Sequence, residues 1–151
     1  MASASPPASR GSRFLVAAVN TAVALAAVGF WATWYLAPEA VQSVPPGAPG
    51  REAYLAYEGA FPLADGLMAA CALLGAWGVV RRRAWGPFLC LLANGAMAFL
   101  ALLDLLFALR QGTLWPLEPE AVQTGLIVVG LLLAAGISAG TIYRSRIMEG
   151  E

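Results

Sequence analysis

Four long apolar runs leave this chain few ways to fold. Phe14 to Tyr35, Pro62 to Val80, Trp85 to Leu109 and Ala121 to Tyr143 each hold about 19 to 25 residues, enough for a helix to cross a hydrocarbon core roughly 30 Å thick. The runs are continuous and do not alternate, which excludes a strand barrel. With 60% hydrophobic and 12% charged residues over 151, the composition is too apolar for a soluble domain. The expected fold is all-α, an integral membrane four-helix bundle. The expected organisation is a disordered cytoplasmic tail at 1–13, a membrane domain at 14–146 with spans near 14–35, 62–80, 85–109 and 121–143, and a second tail at 147–151.

Arginine placement sets the expected orientation, because short cytoplasmic loops collect positive charge. All nine basic residues are arginine. Arg10, Arg13, Arg81, Arg82, Arg83, Arg144 and Arg146 fall on one side, and only Arg51 and Arg110 on the other. Both termini are therefore expected in the cytoplasm, with the protein a multi-pass component of the cytoplasmic (inner) membrane. Trp31, Trp34, Tyr35 and Trp115 read as aromatic anchors at the outer boundary, and Trp77, Trp85 and Tyr143 at the inner one. The Arg81–Arg83 turn needs only the charge rule, since anionic-lipid sites usually gather four or more basic residues.

The one long outer connection runs from Leu36 to Phe61. Its VPPGAPG centre, Val44 to Gly50, is not helical, because proline removes backbone donors and glycine loosens the chain. Arg51 to Gly59 then carries helix formers, and a short interfacial helix is expected there, with Tyr54, Tyr57 and Glu58 on one side. A near-repeat links WYLAPEAVQS at Trp34 to Ser43 with WPLEPEAVQT at Trp115 to Thr124. Either a duplicated hairpin or chance recurrence of a generic helix start explains it.

Two acids stand out within the spans. Cys90, Asn94, Met97, Ala101, Asp104 and Ala108 fall on one helical stripe, and a stripe bearing Asn94 and Asp104 is expected to face the protein interior. Asp65 lies roughly 6 Å below Phe61-Pro62 and Asp104 roughly 9 Å below Arg110 at the helical rise per residue. Both acids thus reach similar depth from the outer side. An intramembrane charge is expensive, so each asks for a partner. The candidate ligand- or proton-binding set is Asp65, Asp104, Tyr57, Glu58 and Gln123, an outward-facing acidic pocket. The competing reading makes Asp65 a cap on nearby backbone donors and lets Asp104 bond to Tyr57 or Gln123, tying the outer loop to the bundle.

Small residues are expected to bring the helices together: Ala69, Ala72 and Ala76 on the Asp65 face, and Gly136 and Gly140 in the last span. Gly136 and Gly140 are expected to serve the bundle first, and a homodimer is their second possible use. Cys71 and Cys90 sit in different spans without CxxC spacing and read as small packing residues.

Several function classes drop out. Without histidine there is no histidine-ligated haem or metal centre, and without lysine no Schiff-base cofactor. A net charge of zero argues against nucleic acid. No nucleotide loop, nucleophile elbow or metal spacing is present, so no cofactor and no catalytic residue is expected. Partners are expected to be the lipid bilayer, a possible second copy through Gly136 and Gly140, and a possible further membrane subunit.

Tyr57, Glu58, Phe61, Pro62, Ala64 and Asp65, followed by Phe99, Leu100, Leu102, Asp104 and Phe107, make the chain resemble a loose group of small bacterial four-span membrane proteins of unknown function. That resemblance covers about half the chain and marks the two acids without implying an activity. The leading expectation is a non-enzymatic accessory subunit or small-ligand binder using the acidic pocket. A proton-coupled carrier of a small cation or lipophilic amine comes second, and an intramembrane isomerase or lipid-modifying enzyme third.

Overall fold

The computed structural model describes residues 9–42, 50–112, 119–145 and 147, with the side chains at 119–121 excepted. Residues 1–8 of the expected 1–13 tail, 148–151 of the expected 147–151 tail, most of the proline-rich segment, Trp115, Arg146 and the first part of the second near-repeat lie outside the described residues.

The long helices are α1 (Arg10–Leu36), α3 (Pro62–Val80), α4 (Trp85–Gln111) and α5 (Pro119–Arg144), with a short α2 (Arg51–Glu58) ahead of α3. Four helical stretches are long and apolar enough to cross a membrane, the second being α3 with α2 leading into it. α1 starts ahead of Phe14 because Ser9 caps it, its Oγ accepting from the Ser12 N–H at 3.1 Å. The first PEA triplet of the near-repeat forms a single 3₁₀ turn, Pro38–Ala40, whereas the second opens α5. Proline at the first helical position also opens α3 at Pro62, where its missing N–H costs nothing. α4 ends at Gly112, whose φ of 67° is left-handed backbone that glycine tolerates best.

The four long helices pack as a ring in the order α1, α3, α4, α5, with α5 closing back on α1 and little contact between α1 and α4. Layers run across this ring. At the arginine end Val16, Val79, Cys90 and Ile142 form one apolar cluster. Next comes a polar layer of Asn20, Asn94 and Ser138, all buried. Beyond it lies the larger apolar cluster, built on Ala24, Met68, Ala69, Ala72, Ala93, Met97, Leu100 and Ala135. The expected α4 stripe faces inward, with Cys90, Asn94, Met97, Ala101 and Ala108 all buried. Cys71 and Cys90 are buried and unpaired.

Small residues do set the packing, but not all of the expected ones. The closest approach is between α3 and α4. A Cβ built on Gly86 would lie 2.4 Å from the Gly78 carbonyl carbon and 2.4 Å from the Val79 nitrogen, and one on Gly75 would lie 2.7 Å from the Cys90 nitrogen. Here two backbones touch. Gly136 and Gly140, by contrast, have nothing within 4 Å of where a Cβ would stand. They turn away from the ring because α5 packs through Val128, Ala135, Ser138 and Ile142 instead. Their expected role inside the bundle is therefore corrected.

Candidate functional site

At the end of the bundle opposite the arginine turn, α1, α2, α3 and α4 bring acids and aromatic rings together. α2 follows Gly50 and ends at Gly59, and Tyr57, near its last turn, reaches across to α4. The Tyr57 hydroxyl donates to Asp104 Oδ1 at 3.0 Å. Its ring stacks on Phe107 with centroids 4.1 Å apart and 8° between planes, and meets Phe61 edge-on at 4.8 Å. One side chain thus locks α2 to α4 by a hydrogen bond and a stack together.

Asp65 is held from the other side. The Trp31 indole N–H donates to Asp65 Oδ2 at 2.8 Å, while Asp65 Oδ1 is shut off from solvent and has no hydrogen-bond partner. Trp31 and Trp34 are buried, at 9% and 8% exposure, and pack edge-on against each other at 5.7 Å. Trp34 also meets the ring of Tyr54 at 6.2 Å. Both tryptophans therefore belong to the site and not to a lipid-facing belt. For Trp31 the physical reason is that a buried indole needs an acceptor for its N–H, and Asp65 supplies one; Trp34 is held by its ring contacts with Trp31 and Tyr54.

Glu58, half-buried at the end of α2, completes the cluster. Burial first, then the negative charges of Asp104 and Asp65, push its carboxyl up from 4.5 to about 7. The same causes act on the neighbouring phenols. Burial with Glu58 and Asp104 pushes Tyr54 up to about 12, and burial with Asp104 raises Tyr57 further. Three carboxyls consequently lie close enough to influence one another at one end of the ring. Among the described residues no group of three or more histidine, cysteine or acidic side chains is arranged to hold a metal ion.

Of the five candidate residues, Tyr57, Glu58, Asp65 and Asp104 are gathered here. Gln123 is exposed near the start of α5, and no hydrogen bond among the described residues ties it to the other four. Trp31 is the side chain that the sequence reading passed over. Its signal was its spacing, since Asn20, Ala24, Ala27, Trp31 and Trp34 recur at steps of three and four and continue one buried face of α1.

The Glu58 carboxyl makes the docking of α2 depend on pH. Its value is raised in the folded protein, so the fold holds more protons than the unfolded chain between about 4.5 and 7. Stability from this group is then full below about pH 4.5 and is lost as pH rises through about 7. Tyr54, Tyr57, Asp65 and Asp104 are the titratable groups facing it. Glu58→Gln is expected to melt progressively later than wild type as pH is raised from about 5 to about 8. Parallel melting curves at every pH would show that Glu58 is not the group responsible.

No protein-family model, no curated protein and no solved structure matches the chain.

Proposed function

We propose that this chain is a non-enzymatic multi-pass protein of the cytoplasmic membrane that binds a small organic cation at the cluster of Glu58, Asp65 and Asp104. The single observation carrying the reading is Asp65 Oδ1, a carboxylate oxygen closed off from water with no donor against it. A buried carboxylate oxygen without a partner is costly. A protonated amine supplies both the missing hydrogen bond and the opposite charge. The rings of Trp31, Trp34, Tyr54 and Tyr57 suit the same guest, because a cation is attracted to an aromatic face. Arginine placement supports an orientation with both termini in the cytoplasm and the acid cluster outside, in which α2 would lie along the outer surface as an interfacial helix.

Binding is favoured over carriage by what lies beneath the acids. Met97, Ala72 and Ala101 are fully buried, so a packed apolar layer separates the acid end from the arginine end, whereas transport needs access from both sides.

Titration of the purified protein with benzylamine, whose ammonium can donate to Asp65 Oδ1, tests the reading, with tetraethylammonium, a cation that has no N–H, as the control expected to bind less tightly. Asp65→Asn keeps an acceptor for Trp31 but removes the charge, and it is expected to weaken amine binding on the order of tenfold or more. Asp104→Asn should weaken it in the same direction. Benzylamine affinities equal in wild type and Asp65→Asn, or no binding of benzylamine, would overturn it.

A further inference from the structure

The arginine end carries a second site, independent of the acid cluster. A cavity of about 70 Å³ lies between the foot of α1, the α3–α4 turn and the start of α4, lined by Arg13, Val79, Arg82, Arg83, Pro87 and Ile147. One water needs roughly 10 to 15 Å³ of such space, so a five-atom phosphate group fits. Three guanidinium-bearing residues from two separate elements line it above an apolar base, since Val79 and Pro87 are buried. Arginine matches phosphate with paired N–H donors in a fixed fork. The start of α4 adds the partial positive charge of a long helix.

Arg82 makes the arrangement more than an accumulation of charge. Its φ of 55° is the only positive value at a non-glycine residue among the described ones. The turn closes α3 through a hydrogen bond from the Arg83 N–H to the Gly78 carbonyl oxygen at 2.8 Å, the pattern in which glycine normally takes the left-handed position. A glycine there would serve the turn better, and Arg81 and Arg83 already serve the charge rule. What glycine cannot supply is a guanidinium at the cavity.

We infer that this cavity binds the phosphate of an anionic membrane phospholipid, the headgroup against Arg13, Arg82 and Arg83 and the chains passing along the exposed Phe88 face of α4. Phe88 is 60% exposed and Trp85, one helical turn before it on α4, is 40% exposed, which gives acyl chains an apolar surface beside the headgroup. Arg13 carries the inference beyond the turn itself. It brings a basic residue from α1 to the same cavity, and Arg144 at the same end of the bundle makes four with Arg13, Arg82 and Arg83. Clusters of four or more basic residues are the usual mark of anionic-lipid recognition.

Native mass spectrometry of the delipidated full chain tests this, with phosphatidylglycerol and phosphatidylcholine of identical chains offered together. Wild type is expected to retain phosphatidylglycerol preferentially. Arg13→Gln with Arg83→Gln should lower that retention on the order of tenfold or more, given the usual worth of two basic residues at a membrane surface. Arg10→Gln with Arg81→Gln removes equal charge from the same end without touching the cavity; Arg10 lies over the Phe14 ring and Arg81 over the Trp77 ring. That pair should retain the lipid nearly as wild type does. If the two double variants lose it equally, the attraction is diffuse and the site is wrong. Equal retention of both lipids by wild type overturns it too, and inorganic phosphate displacing phosphatidylglycerol at millimolar concentration would assign the cavity to a soluble anion instead. Arg83→Gln alone repeats the test should the double variant not fold, with a smaller loss expected in the same direction.

Discussion

Gly86→Ala is expected to pry α3 from α4 and to lower bundle stability by about 3 kcal/mol, the upper end of what overpacking usually costs. The added methyl would meet only backbone, at 2.4 Å from both the Gly78 carbonyl carbon and the Val79 nitrogen. No side chain can rotate out of its way. Sliding is equally closed, because only Arg81 to Ala84 join the two helices and the turn is fixed by hydrogen bonds from Arg82 to Val79 and from Arg83 to Gly78. Gly66→Ala and Gly95→Ala are the controls, since nothing lies within 4 Å of either added carbon. They should be neutral or slightly stabilising, as alanine is the better helix former. Equilibrium unfolding in mixed detergent micelles reads the difference. A Gly86→Ala midpoint equal to that of Gly95→Ala would show that the helices do not meet there as described.

The second large effect belongs to the polar layer. Ser138 Oγ accepts from Asn20 Nδ2 at 2.8 Å and from Asn94 Nδ2 at 3.0 Å, while Asn20 Nδ2 also donates to the Val16 carbonyl oxygen at 2.9 Å. Three helices thus share one hydroxyl. Ser138→Ala takes away both interhelical bonds and leaves a buried amide at Asn94 without its acceptor. Interhelical bonds in membranes average about 0.6 kcal/mol and reach roughly 1.7, and the stranded amide adds its own penalty. A loss of about 2 kcal/mol or more is expected. The sharper test is the rescue. Adding Asn94→Leu to Ser138→Ala removes the stranded amide and should restore part of the lost stability. A double variant no more stable than Ser138→Ala would mean that the layer does not act through hydrogen bonding.

Much of this architecture was legible from residue spacing. Asn94 and Asp104 identified the inward face of α4 because polar groups are too costly to leave against lipid, and Ala69, Ala72 and Ala76 likewise marked that of α3. α1 was harder to read. Trp31 and Trp34 near the end of a span look the same as interfacial anchors, since an indole suits both a lipid boundary and a buried acceptor, and only the position of Asp65 decides between them. The glycines posed a similar ambiguity. Gly136 and Gly140 form the familiar small-residue pair, yet the close seam uses Gly75, Gly78 and Gly86, chosen by the shortness of the α3–α4 connection and the rotation it imposes. Asp104 and Tyr57 were matched by depth alone, but Gln123 at similar depth faces elsewhere, because depth fixes height along the bundle and says nothing of azimuth.

The circular order of the helices also bears on biogenesis. Of these four helices α1 is made before the others and α5 after them, yet the two are neighbours, so the ring closes only when α5 has joined it. Until then Asn20 has the Val16 carbonyl but lacks Ser138, and Asn94 lacks Ser138 as well. The polar layer is therefore completed by the step that closes the ring, because both amides wait for the one hydroxyl that α5 brings.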